Sequence, residues 1–335
     1  MDTITHIVLG ACAGEAIAGK KLGKKALLIG AFANSIPDLD FSSSFWLSTD
    51  KSLLAHRGFT HSFLFVILAA GLMALLFQQW KKKNTSFRFW LWFFAIEMLL
   101  HLFIDVFNAY GTGLFEPFSH YRVSFNIIFV ADPFYSIWLV IACVMLIILK
   151  KTDKRRFYWM SFGLGLSLLY LVYCISNKIK VDMDVREMLQ KQGIGYKSYF
   201  STPTPLNNWL WYIVAGDSSG YYIGHYSAFD RKKQMDLRYF PKNDSLLQPI
   251  AGSEEVKHLV RFSKGFYTVE KWNDVLVFND LRFGQMVGWY DPGKHFVFYY
   301  FLQNRKDNRW VVQRGRFQDW NGETIRSLIK RIKGN

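Results

Sequence analysis

Histidines and aspartates gather in short motifs of the N-terminal half of the chain. His6 is followed by "PDLD" (37–40), "HRGFTHS" (56–62), "HLFID" (101–105) and "ADPF" (131–134). Neutral imidazoles and carboxylates are the ligands that zinc, iron and manganese take in proteins. A mixed set of this size suits one or two divalent ions, and such an ion could activate a bound water at neutral pH. The motifs therefore indicate metal chemistry, with zinc as the expected ion.

The composition around these motifs is that of a membrane protein. Of 335 residues, 51% are hydrophobic and 18% aromatic, which is too apolar for an average soluble domain. Because a membrane helix needs about 20 apolar residues, four runs qualify and two shorter ones, rich in alanine and glycine, predict a helical hairpin. We therefore expect four to six membrane helices, from the runs 6–19, 26–36, 62–80, 88–108, 133–149 and 157–177.

Basic residues alternate between the two sides of these predicted helices. The segments 20–25, 80–88 and 150–156 are dense with lysine and arginine, whereas 37–61 and 108–132 are not. Cytoplasmic loops carry the excess of positive charge, so the histidine and aspartate motifs and everything after residue 178 are expected outside the cytoplasm. The net charge of +15 suits an anionic membrane surface better than nucleic acid, which we do not expect as a partner.

This topology brings the polar motifs to one membrane face. His101 and Asp105 are four residues apart and share a face of their helix, and the other candidates stand at the external ends of four further segments. Ionisable groups at membrane depth are unfavourable unless they have partners, so their convergence indicates a functional site. The candidates are His6, Asp38, Asp40, His56, His61, His101, Asp105 and Asp132.

Each motif also has a simpler interpretation. The carboxylates of "PDLD" could cap helices or form a polar turn, and the histidines of "HRGFTHS" could be interfacial residues. His101 and Asp105 could be a hydrogen-bonded structural pair. Arg57 offers a fixed positive charge that could bind an anionic substrate or transition state, or it could form a salt bridge to one of the aspartates.

The C-terminal half differs from the N-terminal half in its residue pattern. Short aromatic and partly alternating stretches at 220–230, 275–283, 295–303 and 309–317 predict strands, and residues 304–308 suggest a hairpin tip. Residues 253–265 and 321–334 predict helices. The expected architecture is thus a mostly α polytopic membrane domain over residues 1–177, which carries the metal site, and a smaller, basic, aromatic-rich α+β domain over 178–335. The proline- and tryptophan-rich segment 201–211 predicts an interfacial stretch.

The motifs together resemble a known family. "THIVLGACAGE", "PDLD", "HRGFTHS", "HLFIDVFNAYGTGLFEPF" and "ADPF" are similar to the signature blocks of the YdjM-like family of bacterial inner-membrane proteins, which are classed as metal-dependent hydrolases. The resemblance covers residues 1–135 and continues through "TPTPLNNWLWYIV" and "DLRFG". It implies a multi-pass protein of the bacterial inner membrane, with a metal site at His6, Asp38, Asp40, His56, His61, His101 and Asp105.

Two function classes follow from this resemblance and from the residues. The first is a membrane-embedded metal-dependent hydrolase, in which an activated water attacks an ester or phosphoester bond of a lipid or lipid-linked substrate. Asp38, Asp40 or Asp132 would serve as base or ligand, and Arg57 would bind the anionic group. The second is a metal-binding membrane protein without hydrolytic activity: structural, a sensor or an ion carrier. The sequence does not indicate the oligomeric state.

Overall fold

The computed structural model describes residues 1–80, 85–303, 308, 311 and 317–335. The chain divides into two compact units. The N-terminal unit comprises Met1–Ser43 and Ala55–Cys174, and the C-terminal unit comprises Ser44–Leu54 and Ile175–Asn335. The predicted division into a helical membrane domain over 1–177 and a basic, aromatic-rich α+β domain over 178–335 stays a prediction.

The N-terminal unit begins with a tightly packed pair of helices, α1 (Thr3–Leu22) and α2 (Lys25–Ser35). The Asp2 side chain accepts a hydrogen bond from the Thr5 amide and caps α1, as expected for an N-cap aspartate. Glycines let the two backbones approach each other, because a Cβ placed on Gly30 would lie 2.2 Å from the carbonyl oxygen of Gly10. This small-residue packing is typical of helices in membranes, and it forms at the predicted hairpin.

The helices α4 (Phe63–Trp80) and α5 (Phe87–Asp105) form the apolar core of this unit. A short helix, α3 (Thr49–Ala55), precedes them in the chain, and most of it belongs to the C-terminal unit. On α5 the four-residue series Trp90, Phe94, Met98 and Leu102 is buried in that core. The neighbouring series Glu97, His101 and Asp105 is also buried, because residues four apart lie on one face of a helix. One helix thus carries an apolar stripe and a polar stripe side by side.

The number of membrane-spanning helices expected from sequence is not confirmed by the described residues. Among the described residues, α5 and α7 (Arg155–Lys191) are long and apolar enough to cross a membrane. A third span exists if Thr49–His61 and Phe63–Gln79, which meet at a 60° bend, are counted as one. The helix α6 (Pro133–Ile148) is apolar but only 16 residues long. Four to six spans are therefore not confirmed, whereas a mostly helical membrane portion is.

The C-terminal unit contains a four-stranded antiparallel sheet. Its order is β1 (Ser198–Pro203), β2 (Leu210–Gly216), β3 (Gly220–Ser227) and β4 (Leu237–Pro241). Trp211 and Ile213 of β2 pack with Val181 and Val185 from the last turns of α7. Trp211 is fully buried there, so the prediction of an interfacial segment at 201–211 is wrong for this ring, which belongs to the sheet core.

A second antiparallel sheet contains β5 (Tyr267–Trp272), β6 (Val275–Gln285) and β7 (Phe296–Phe301), accompanied by α8 (Glu254–Phe262) and α9 (Gly322–Ile332). These elements confirm a β-sheet portion after the helices. The N-caps Ser253 and Asn321 accept the hydrogen bonds expected at the starts of α8 and α9. The hairpin tip predicted at 304–308 and the strand predicted at 309–317 fall mostly outside the described residues.

Candidate metal centre

Four of the predicted ligands meet at one point of the N-terminal unit. The Nε2 atoms of His61 and His101 are 3.1 Å apart. The Oδ1 of Asp38 lies 3.5 Å from His61 Nε2 and 3.6 Å from His101 Nε2. The Oδ2 of Asp105 lies 3.4 and 3.5 Å from the same two nitrogens. Tetrahedral ligands at about 2.1 Å from an ion are about 3.4 Å apart, so this spacing fits one divalent ion.

The hydrogen bonds behind the two histidines aim their lone pairs at this point. His101 Nδ1 lies 2.6 Å from the backbone oxygen of Asn34, and His61 Nδ1 lies 3.2 Å from Asp40 Oδ2. Both oxygens only accept, so each Nδ1 donates and each neutral ring keeps a lone pair on Nε2. When both rings are neutral, two lone pairs and two carboxylate oxygens face one another, an arrangement that a cation between them would stabilise. The donor set therefore suits a metal ion.

Asp40 and His56 stand behind the four donors. The Asp40 carboxylate contacts His56 Nδ1 at 2.8 Å and accepts hydrogen bonds from the Arg57 amide and the Thr60 hydroxyl. Burial alone would raise the pKa of Asp40, but the hydrogen bonds from His56 and His61 hold that pKa well below its usual range. An ionised carboxylate behind a ligand histidine fixes the ring and raises its basicity, so this geometry suits a supporting role for Asp40.

His6 and Arg57 lie beside Asp105. His6 Nε2 is 3.2 Å from Asp105 Oδ1, and its ring stacks on His101 with centroids 3.7 Å apart. Its Nδ1 is buried without a hydrogen bond. Arg57 Nε is 3.1 Å from Asp105 Oδ2, and its NH1 donates to Asn108. The buried guanidinium thus forms the salt bridge that was left open as its alternative role, and the Met1 amino group also contacts Asp105.

Asp132 is engaged elsewhere in the N-terminal unit. It caps α6 by accepting a hydrogen bond from the Phe134 amide at 2.9 Å, and the Tyr170 hydroxyl donates to its Oδ2 at 3.0 Å. Burial raises the pKa of Asp132 to about 6, although these two hydrogen bonds act in the opposite direction. The described ion pairs and hydrogen bonds do not connect it with the four donors, and its predicted role as base stays a prediction.

Sequence reasoning missed two contributors. Asn34 supplies the carbonyl that orients His101, and it sits in an apolar run with nothing to mark it. Thr60 donates to Asp40 from within "HRGFTHS". Glu97 lies one helical turn before His101, and its carboxyl group accepts a 3.4 Å hydrogen bond from Asn34.

With this geometry in hand, comparison with known proteins identifies the group. The model of the "YdjM inner membrane protein" family matches residues 1–181, more than half of the chain. The chain belongs to the YdjM inner membrane protein family. The matched range contains all four donors and their supporting residues. The resemblance read from the motifs is therefore confirmed, and the YdjM family description locates the protein in the inner membrane.

Two curated relatives extend this picture. The chain is 28% identical over 232 residues to the "Uncharacterized protein YfhP" of Bacillus subtilis, which covers 67% of this chain and 68% of the relative. It is 28% identical over 111 residues to the "Inner membrane protein YbcI" of Escherichia coli, which covers 33% of this chain and 63% of the relative. No solved structure shows significant similarity. The YdjM family thus fixes the membrane class without assigning a reaction.

Proposed function

We propose that this protein is a metal-dependent hydrolase that cleaves an ester or phosphoester bond in a lipid or lipid-linked substrate. The observation that carries the proposal is the convergence of Asp38, His61, His101 and Asp105 with the edge lengths of a single metal site. Three of the four side chains are fully buried, and Asp38 keeps 20% of its side-chain surface exposed. The exposed edge at Asp38 is where a substrate could approach.

A divalent ion held there, zinc by the choice of donors, would supply Lewis-acid chemistry and activate a water for attack. The protein groups have separate tasks around it. Asp40 and the Asn34 carbonyl orient the two histidines, and Arg57 balances the charge of Asp105. Asp38, as the most accessible carboxylate, is the best candidate to accept a proton from an entering water. With its guanidinium engaged, Arg57 is better suited to holding Asp105 than to binding substrate.

An apolar groove supports a lipid as the substrate class. It runs along α5 with a volume of about 480 Å³ and is lined by Phe63, Leu99, Leu102, Phe103, Val106 and Phe125. Three of these residues follow ligands closely in sequence: Phe63 is two residues after His61, and Leu102 and Val106 directly follow His101 and Asp105. A hydrocarbon chain in this groove would keep its polar headgroup at the metal end of α5. Volumes of this size suit small-molecule ligands.

The C-terminal unit offers a surface for an anionic membrane. On α9, Ile325 and Ile329 are exposed, and so are the basic residues Arg326 and Lys330. A basic helix with exposed apolar side chains binds anionic lipid interfaces. We propose that the metal site and the C-terminal unit lie on the external side. A cysteine at Lys151 that is labelled from outside intact cells would contradict this orientation.

The test combines metal analysis with substrate turnover. Detergent-purified protein would be analysed for bound metals and assayed on phosphodiesters, phosphomonoesters and carboxylic esters with short and long acyl chains. We expect turnover of long-chain substrates that His101→Ala abolishes. Leu99→Trp should fill the groove and reduce turnover of long-chain substrates while sparing short-chain ones. Equal effects on both would reject the groove as the lipid site.

One observation favours the alternative, a metal-binding membrane protein without hydrolytic activity. Four protein donors already complete a tetrahedral shell, as in structural zinc sites, whereas catalytic sites keep an open position. Asp38 decides between the two possibilities. If Asp38→Ala retains the ion and loses turnover, the site is catalytic. If the purified protein holds a metal, turns over no ester and loses its fold with Asp38→Ala, the structural role is correct.

A further inference from the structure

A buried carboxyl group lies one helical turn before the ligand His101. Glu97 is fully buried in α5, and among the described residues it has no salt-bridge partner. Its neighbour on α2 is Asn34, whose Nδ2 donates to the Glu97 backbone oxygen at 2.8 Å and to its Oε2 at 3.4 Å. Another titratable group that interacts electrostatically with Glu97 is the Cys12 thiol of α1. This thiol carries no positive charge.

Two oxygens of this pair have no hydrogen bond. Glu97 Oε1 and Asn34 Oδ1 are both buried and both lack a donor. Buried polar atoms are nearly always satisfied, so each exception requires an explanation. A carboxylate can only accept hydrogen bonds, whereas a carboxylic acid also has one O–H donor. A single proton on Glu97 would therefore satisfy Asn34 Oδ1 and remove a charge that is unfavourable inside a membrane helix.

We infer that Glu97 is a neutral carboxylic acid that pairs with the Asn34 amide and thereby positions His101. The Asn34 side chain donates to the acid, and the acid donates back to Asn34. The backbone oxygen of the same residue accepts the proton of His101 Nδ1 at 2.6 Å. The pair thus holds α2 and α5 together at the point where α2 orients a metal ligand.

The local packing leaves room for this pair and little more. A Cβ on Gly30 would lie 3.1 Å from Glu97 Oε1, and a Cβ on Gly10 would lie 2.4 Å from the Asn34 Cβ. Both glycines belong to the α1–α2 contact described above. The tight helix pair therefore encloses the acid and the amide, which favours the direct pair over a bound cation with its own ligand shell.

Infrared difference spectroscopy of the full-length protein in detergent tests the protonation state. The wild type should show a carboxylic-acid C=O band at pH 8, where Asp132, with its pKa of about 6, is ionised, and Glu97→Gln should remove that band. Asp132→Asn is the matched control, because Asp132 is a second buried carboxyl group of the same unit, and the Glu97 band should remain in it. A wild-type spectrum with no acid band, or a band that persists in Glu97→Gln, would overturn the inference.

The positioning role has its own readout, which does not depend on hydrolysis. Glutamine keeps one donor and one acceptor at this position, so Glu97→Gln should bind the metal within about threefold of wild type. Glu97→Leu leaves Asn34 Oδ1 without a donor and should weaken metal affinity about 10- to 100-fold, as is usual for residues that support ligands. Equal affinity in both variants would show that Glu97 does not position His101.

Discussion

Two buried charged groups of the molecule, one in each unit, differ in how their charges are matched. In the C-terminal unit, Asp280 and Arg282 are buried and satisfy each other: the guanidinium donates to both carboxylate oxygens, at 3.0 and 2.6 Å. In the N-terminal unit, Asp38, His61, His101 and Asp105 turn acceptor atoms towards one shared point. The first group is complete within two residues of one strand.

The difference separates a structural pair from a candidate binding site. A closed ion pair needs nothing further, and buried ion pairs of this kind hold a fold without binding anything. The four-residue cluster draws its members from three parts of the chain and turns their acceptor atoms towards one another, an arrangement that a bound cation would complete. The direction in which acceptor atoms point is therefore more informative than burial or charge.

The largest expected effect is loss of the metal. His101→Ala removes one of four ligands, so metal content measured by elemental analysis should fall from about one ion per chain to near background. His120→Ala is the control, because His120 is a histidine of the same unit whose partner is Glu116 and not the cluster. Equal metal content in wild type and His101→Ala would show that the cluster does not hold the ion.

The second effect should be confined to the Asp280–Arg282 ion pair. Asp280→Ala leaves Arg282 without the carboxylate that accepts from it, and breaking one partner of a buried pair costs about 3–5 kcal/mol. Hydrogen exchange of peptides from β5 and β6 should accelerate, while metal content stays unchanged. Asp274→Ala, at a fully exposed position before β6, should leave the exchange unchanged. Loss of metal in Asp280→Ala would show that the ion pair and the four-residue cluster are not independent.

From sequence alone the candidate ligands could be proposed but not ranked. Spacing placed His101 and Asp105 on one face of α5, and charge counting brought the other motifs to the same end. It could not separate a ligand such as His61 from a supporting residue such as His56, because both stand in one motif. Only the fold shows that Asp40 lies behind His61. Asn34 acts through its backbone carbonyl, and a backbone contact cannot be predicted from the residue type.

The fold was predictable to the extent that it follows local patterns. Period-two alternation and aromatic content marked β3, β6 and β7, and cap residues marked α8 and α9. The predicted count of four to six spans is not confirmed, because among the described residues α5 and α7, and a bent pair if it is counted as one span, are long and apolar enough to cross a membrane. The burial of Trp211 depends on a sheet that packs against α7, a long-range contact with no local signature.

A third and smaller effect tests the layer behind the ligands. Asp40→Asn keeps the size of the side chain but removes the charge that orients His61, so metal affinity should fall about 10- to 100-fold. Competition with a metal chelator measures this change. Asp132→Asn is the matched control, since asparagine also caps helices well, and its affinity should equal that of wild type. A loss of affinity in Asp132→Asn would connect Asp132 to the metal site.

The smallest effect is on acid stability, and it belongs to the C-terminal unit. Burial and the nearby Arg331 lower the pKa of His225 to about 3, whereas an unfolded histidine titrates near 6.5. The unfolded chain therefore binds a proton that the folded unit excludes, and the unit loses stability as the pH falls from about 6.5 towards about 3. His225→Gln should reduce this loss, seen as slower hydrogen exchange of β2 and β3 at pH 5.5 than in wild type, with no change at pH 7.5. His120→Gln should leave the exchange as in wild type, and an acid sensitivity of β2 and β3 that persists in His225→Gln would assign it to other groups.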